Sequence, residues 1–376
     1  MDLGLSESER LLRDAAQAFM GRQADRRRLI ELQDAGPGFD RSWVAAMAEA
    51  GWLGLLVPPA AGGGGASALE TAVVFEELGR GPLPGPFFSS AVLAALVVAT
   101  AEPSADRDEV LADIAAGRSL IAVALCEPGR SWQGVGGSGL ALSADGVIDG
   151  TKTFVPHAAG ATHLLVGVGL GQGEPGFALV PTEHPGITVT PLPGFLAWND
   201  VVELHGVAVE ARHLFTPADG PASLDKAMAT AGAVLAAYQV GGCGALLDLS
   251  LDYASSRVQF GTPIGRFQRV QDHIVRIVNA LDAARWTTYE ALWKIDSGAD
   301  ARAGAHMAQA VAAEAYFEAA NAAHEVHAGI GSDPLFGLTL FTAMSRSLYD
   351  YLGSPAWHRR QMVDALGWAA AGTPAP

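Results

Sequence analysis

At Gly117-Arg118 the hydrophobic pattern of this chain changes period, and it changes back about a hundred residues later. Before that point Ser6-x-x-Glu9 reads as a capping box, since hydroxyl and carboxylate each satisfy an orphan N–H of a first helical turn. Leu11, Leu12, Ala15, Ala16 and Phe19 then recur at helical spacing, and similar patterns cover residues 41–50, 68–78 and 89–100. Gly51-Trp52-Leu53-Gly54 and the stretch VPPAAGGGGAS interrupt them, because clustered prolines and glycines do not continue a helix. From Ser119 onward the runs SLIAVAL, HLLVGV, FALV, GITVTPL and VVELHGV alternate with turn signals at Asp145-Gly146 and Asp149-Gly150. Such spacing, with no helical pattern between, predicts a small antiparallel barrel or sandwich ending near Phe215-Thr216-Pro217. Ala-rich helical patterns return over 223–255, 267–296, 301–328, 335–352 and 355–369.

The expected fold class is therefore α+β, with an N-terminal helical domain (1–118), a central β-barrel or sandwich domain (119–218) and a C-terminal helical bundle (219–376). A length of 376 residues suits two or three domains. The order helix, strand, helix excludes a βαβ nucleotide fold. Gly134-Val135-Gly136-Gly137-Ser138-Gly139 matches G-x-G-x-x-G, but a strand pattern follows where a helix is required, so it reads as an inter-strand loop.

Composition removes further classes. A net charge of −16 repels nucleic acid and anionic membranes. The longest apolar run, residues 91–101, is shorter than the ~20 residues of a spanning helix, and no basic n-region opens the chain. Cys126 and Cys243 form neither a disulfide framework nor a metal motif, which favours a reducing cytoplasm. His324, Glu325 and His327 lack HExxH spacing and a second cluster, so they read as core or helix-end residues and no metal is expected.

One segment carries chemistry: SSRVQFGTPIGRFQRVQDH, residues 255–273. Arg257 ends a helix, Gly261 and Gly265 permit a sharp turn around Pro263, and Phe267-Gln268 open the next helix. One guanidinium, the amides of Gln259 and Gln268, and backbone N–H groups at a helix start suit a phosphate and adenine cradle. A plain αα-hairpin with a solvated arginine fits the same spacing.

R-x-Q-F-G-x-P-I-G-x-F-Q in this position resembles the acyl-CoA dehydrogenase family. So, in family order along the whole chain, do GWLGLLVPPAAGGGG, LETAVVFEELGR, CEPG, DGVIDGTKTFV and VHAGIGSDPLF. The resemblance implies FAD, an acyl-CoA substrate, an electron-transfer acceptor, and a hairpin that holds the flavin of a neighbouring subunit. It places Arg257, Gln259, Phe260, Gly261 and Gln268 at the diphosphate and adenosine end, joined by Ala328 and Gly329. Leu125 and Cys126, with Thr153, Phe154 and Val155, would face the isoalloxazine.

The reaction implied is α,β-dehydrogenation, which needs a carboxylate base beside the ring. The two family positions for it fall on Leu352 and Ala231, so no catalytic residue is assigned. The small polar run after the CEPG segment is replaced by Arg130-Ser131-Trp132-Gln133, and Glu325 stands where a glutamine is usual. This erosion resembles the smaller subunits of heteromeric acyl-CoA dehydrogenases of steroid side-chain breakdown, in which an α2β2 partner can bring the base. Two alternatives remain: a homomeric enzyme with a displaced base at Asp350 or Asp333, and a non-catalytic acyl-binding subunit without flavin.

Overall fold

A computed structural model describes residues 4–32, 38–130, 132, 134, 138–171, 174–192 and 198–368. The capping box is present: Glu9 N donates to Ser6 Oγ at 3.3 Å, and Ser6 N donates to Glu9 Oε2 at 2.6 Å. It opens α1 (Glu7–Gln23), followed by α2 (Arg26–Leu32), α3 (Ser42–Glu49) and α4 (Ala68–Arg80). The 89–100 pattern is wound in two ways, as a π-helix over Ser89–Ala94 and then as α5 (Ala95–Ala99). A further helix, α6 (Ala105–Ala115), starts where the Ser104 side chain accepts from Arg107 N; it buries Val110, Leu111 and Ile114.

The strands are β1 (Ile121–Ala124), β2 (Val147–Pro156), β3 (His163–Gly169), β4 (Pro175–Pro181), β5 (Ile187–Pro191), β6 (Asn199–Ala208) and β7 (Leu214–Phe215). Their ladders make two sheets, β1-β3-β4-β7 and β2-β6-β5, so the sandwich of the two expected layouts describes the hydrogen bonding. Inward residues of both, among them Ala122, Ile148, Leu164, Val202 and Leu204, form one core. Two readings are corrected. First, β1 pairs parallel to β3, Ile121 opposite His163, because the intervening β2 belongs to the other sheet and the chain returns in the same direction. Second, Asp149-Gly150 is no turn: Gly150 (φ +149) sits in a register shift inside β2, and Asp149 Oδ1 accepts from Gly206 N at 2.7 Å.

The later helices are α7 (Pro221–Ser256), α8 (Gln268–Asp296), α9 (Arg302–His327), α10 (Leu338–Tyr349) and α11 (Pro355–Ala365). Between α7 and α8 lies a hairpin of β8 (Val258–Gln259) and β9 (Thr262–Pro263). By length and composition α7 is apolar enough to cross a membrane, although its apolar residues form no unbroken run; 78% of its apolar window is buried inside the protein, as in a core helix.

The expected boundaries separate element types, whereas the compact units are interleaved. One unit comprises Met1–Ile30, Ala72–Pro82 and Gly232–Pro376; the other comprises Glu31–Thr71 and Leu83–Ala231. In the first, α4 and α7 meet backbone to backbone. A Cβ on Gly79 would lie 1.9 Å from Tyr238 O, and one on Gly241 would lie 1.8 Å from Glu76 O.

Candidate functional site

The cradle segment belongs to the first unit. Arg257 N donates to Tyr253 O and Ile264 N to Arg257 O, both at 2.8 Å, which closes the base of the β8–β9 hairpin. Gln259 pairs with Thr262, leaving Phe260 and Gly261 as a two-residue turn. Both have positive φ, +51 and +78, as a type I′ hairpin turn requires. Glycine does this freely; phenylalanine pays of order 1 kcal/mol for it. Phe260 is nevertheless 93% exposed, with the Phe267 ring edge to face at 6.1 Å. A strained, unburied aromatic at a turn tip is poorly explained by the stability of one chain.

Below the tip, Ala254, Ile264 and Val326 form a small core with Tyr253, Val270 and Ile274 packed against it. Tyr253 stacks on His327 at 4.7 Å, whose Nδ1 lies 2.8 Å from Ala323 O. The chain then leaves α9 through Ala328, at φ +52, and Gly329, both exposed. The structure thus brings Arg257, Gln259, Phe260, Gly261 and Gln268 to the same end of the unit as Ala328 and Gly329. Gln268 opens α8, which has no side-chain N-cap. Arg257, Arg266 and Arg269 are all exposed there, on an otherwise acidic chain, and Arg257 has no carboxylate partner among the described residues. This donor set fits a nucleotide diphosphate. Glu325 is exposed and His324 bonds Thr342 Oγ1 at 2.7 Å; among the described residues no group of three potential ligands could hold a metal.

Leu125, Cys126 and Phe154 lie on the other unit. Cys126 O accepts from Thr153 N at 2.9 Å, tying the exit of β1 to β2. A register shift between Lys152 and Val155 turns Phe154 outward, at φ +52 and 51% exposed, while Val155 stays buried. Lys152 is fully buried and its Nζ lies 2.8 Å from Glu127 Oε1, a pair the sequence reading did not single out. Burial alone would raise Glu127, but hydrogen bonds from Lys152 and Ser138 hold its carboxyl at about 2. Burial pushes the Cys126 thiol up, against the pull of Lys152. The glycine-rich loop reading falls partly outside the described residues, at 135–137; Ser138 and Gly139 lead into no helix and bond Glu127 instead.

Both base positions are apolar and buried: Leu352 is 3% exposed, at φ +62, and Ala231 is 0% exposed within α7. Asp350 is the C-cap of α10, its carboxyl raised by burial, and Asp333 accepts from Leu335 N at 2.9 Å. Shortly after Leu352 in the chain, His358 shares an Nδ1···Nδ1 contact of 3.0 Å with His306 on α9. Burial lowers them to about 3 and about 4. Their unfolded values lie near ~6.5, so the unfolded chain takes up protons first as pH falls. Stability is therefore expected in full above about pH 6.5 and to decline by a few kcal/mol towards about pH 4. Thermal melts across that range check it; His358→Asn should flatten the slope, and an unchanged slope would assign the acid lability elsewhere.

Comparison with known proteins gives a consistent picture. Residues 6–118 match the acyl-CoA dehydrogenase N-terminal domain and residues 219–367 the C-terminal domain of the same family. The probable acyl-CoA dehydrogenase YngJ of Bacillus subtilis is 27% identical over 353 residues, 90% of this chain and 92% of its own length. Among solved structures, the ChsE4–ChsE5 complex from Mycobacterium tuberculosis is similar at a TM-score of 0.86 and 26% identity, covering 100% of both chains. A variant of the Tcur3481–Tcur3483 steroid ACAD follows at 0.85 and 29%, covering 99% of this chain and 100% of its own.

Proposed function

Because the chain belongs to the acyl-CoA dehydrogenase family, we propose that it is an FAD-binding subunit of a dehydrogenase working in an α2β2 complex, its sequence-related partner supplying the base. The observation that carries this reading is the coexistence of a complete, outward-facing cradle with buried apolar side chains at both base positions. Likeness to chains of two-component complexes supports the partner, and a steroid enzyme among them supports a steroid side-chain thioester as substrate class. Val275, Trp286 and Trp293, all exposed on α8, offer apolar surface for subunit contact. Electrons would leave to a separate electron-transfer protein, and free Cys126 and Cys243 suit a cytoplasmic setting.

In this reading Arg257 grips the diphosphate of a neighbour's FAD, Gln259 and Gln268 hydrogen-bond the adenosine end, and Phe260 packs beside it. The bound flavin supplies the hydride acceptor for α,β-dehydrogenation. Leu125, Cys126 and Phe154 bound the ring end and exclude water. A second reading, the homomer, draws on Asp350, whose raised carboxyl is the kind of group a base requires.

The test is to purify the chain alone and after co-expression with a family member bearing glutamate at either base position, measuring assembly mass and visible flavin absorbance. A four-subunit, flavin-loaded assembly formed only with the partner supports the proposal. A yellow homomer that turns over thioesters favours the second reading, and a chain colourless in both states favours a subunit without flavin.

Arg257→Ala in the complex is expected to weaken FAD binding roughly ten- to hundredfold, the loss of a charge-assisted contact of ~1.5–3 kcal/mol. Arg257→Lys should recover only part, since a point charge does not reproduce a bidentate fork. Flavin-to-protein absorbance reads both; full occupancy in the alanine variant would make the hairpin structural only.

A further inference from the structure

The Lys152 ammonium is enclosed by three acceptors: Glu127 Oε1 at 2.8 Å, Ser138 Oγ at 3.0 Å and Leu125 O at 3.4 Å. Its three donors are thereby matched. Glu127 in turn accepts from Gly139 N and Leu140 N, each at 3.0 Å, and Ser138 Oγ lies 2.8 Å from Gly167 O on β3. One buried group therefore ties together β2, β3, the exit of β1 and the 138–140 segment. At the next residue Thr153 N holds Cys126 O, and at the one after that Phe154 turns out of the strand.

For stability alone this is an expensive device. A buried ion pair is often replaceable by packed apolar side chains at no loss, because desolvation cancels much of the attraction. Apolar packing does not supply direction: hydrogen bonds at fixed angles set where a segment lies to a fraction of an ångström. The segment so fixed is Leu125-Cys126, held by Lys152 and by the amide of Thr153, whose neighbour Phe154 turns out of the strand.

We propose that Lys152 is a positioning residue which, through Glu127, sets the spacing between Leu125-Cys126 and Phe154 and so shapes the wall for the ring end of FAD. This rests on the reading of the chain as an FAD-binding subunit. Lys152 touches no flavin atom itself; it acts through the segment it holds.

The experiment compares the full-length protein, in whichever assembly carries flavin, with Lys152→Met and with Lys152→Met/Glu127→Gln. Three quantities are read: the thermal midpoint without FAD, the FAD dissociation constant, and the position of the flavin visible band. Lys152→Met leaves the half-buried Glu127 with only the exposed Arg130, 3.5 Å from Oε2, as counter-charge and should lower the thermal midpoint. The double variant removes both charges and should regain most of that midpoint, while FAD binding stays about tenfold weaker and the band remains displaced. If Lys152→Met does not fold, the double variant carries the comparison. A double variant that recovers midpoint, affinity and spectrum together overturns the positioning role. One as unstable as the single variant assigns the pair to folding and overturns it equally. Unsubstituted protein that binds no FAD in either assembly removes the flavin reading, and this proposal with it.

Discussion

Without a partner, the chain is expected to oxidise acyl-CoA thioesters ~10²–10⁴ times more slowly than the complex does, the usual worth of a placed general base. The expectation follows from two side chains. Leu352, 3% exposed, offers no proton acceptor, and Ala231 has only a methyl group inside α7. Asp350 and Asp333 are the carboxylates close by in the chain; Asp350 sits at the C-cap position of α10, and Asp333 caps a short turn through Leu335 N, so the second already has a local structural task. Leu352→Glu alone is expected to restore little. Its backbone angle would survive, but a carboxyl replacing a buried leucine would hold its proton, because burial disfavours the charged form. The measurement is anaerobic flavin bleaching by short-chain and steroid thioesters, first with the chain alone and then with the partner. Bleaching by the chain alone that disappears in Asp350→Asn would sink the shared-site reading and install the homomer.

Gly241→Val is expected to leave the first unit unable to fold, and Gly241→Ala to cost about 3 kcal/mol or more. Alanine ordinarily gains up to ~1 kcal/mol over glycine inside a helix. Here its Cβ would lie 1.8 Å from the backbone oxygen of Glu76 and 3.0 Å from Arg80 N, so α4 and α7 must separate as rigid bodies. Separation also strains what the close approach permits. Arg80 reaches Asp248 across the gap left by Gly244, where a Cβ would lie 2.8 Å from Nη1. On the same helix the half-buried Glu76, its carboxyl raised by desolvation, accepts through Oε2 from the Tyr289 hydroxyl at 2.9 Å. Thermal unfolding and soluble yield report the outcome. A Gly241→Ala protein with an unchanged midpoint would show that the two helices part more easily than their backbone contact implies.

Local chemistry was legible in the sequence and long-range pairing was not. Ser6 and Glu9 cap each other within one turn, and the Phe260-Gly261 turn is fixed by residues adjacent in the chain; such signals are visible in any short window. The parallel pairing of Ile121 with His163 depends on β2 joining a different sheet, which no window shows. Asp149-Gly150 has turn composition, yet the Gly206 amide 57 residues away recruits Asp149 into a strand bulge. Lys152 carries no local signal for the same reason: a lysine facing the core makes sense only because Glu127, 25 residues back, meets it. The arginine hairpin, by contrast, is legible because all its parts are consecutive.

The interleaving of the two units bears on how the chain is made. The first unit draws on Met1–Ile30 and Ala72–Pro82, but most of it comes from Gly232–Pro376. On a ribosome, the α4 face that carries Gly79 emerges long before Tyr238 and Gly241 exist to cover it. The second unit is complete once residue 231 has been synthesised, and it can condense while most of the first is still absent. The time taken to synthesise Gly232–Pro376 thus sets how long the α4 face stays uncovered, and the emergence of those residues, rather than local helix formation, times the closing of the first unit.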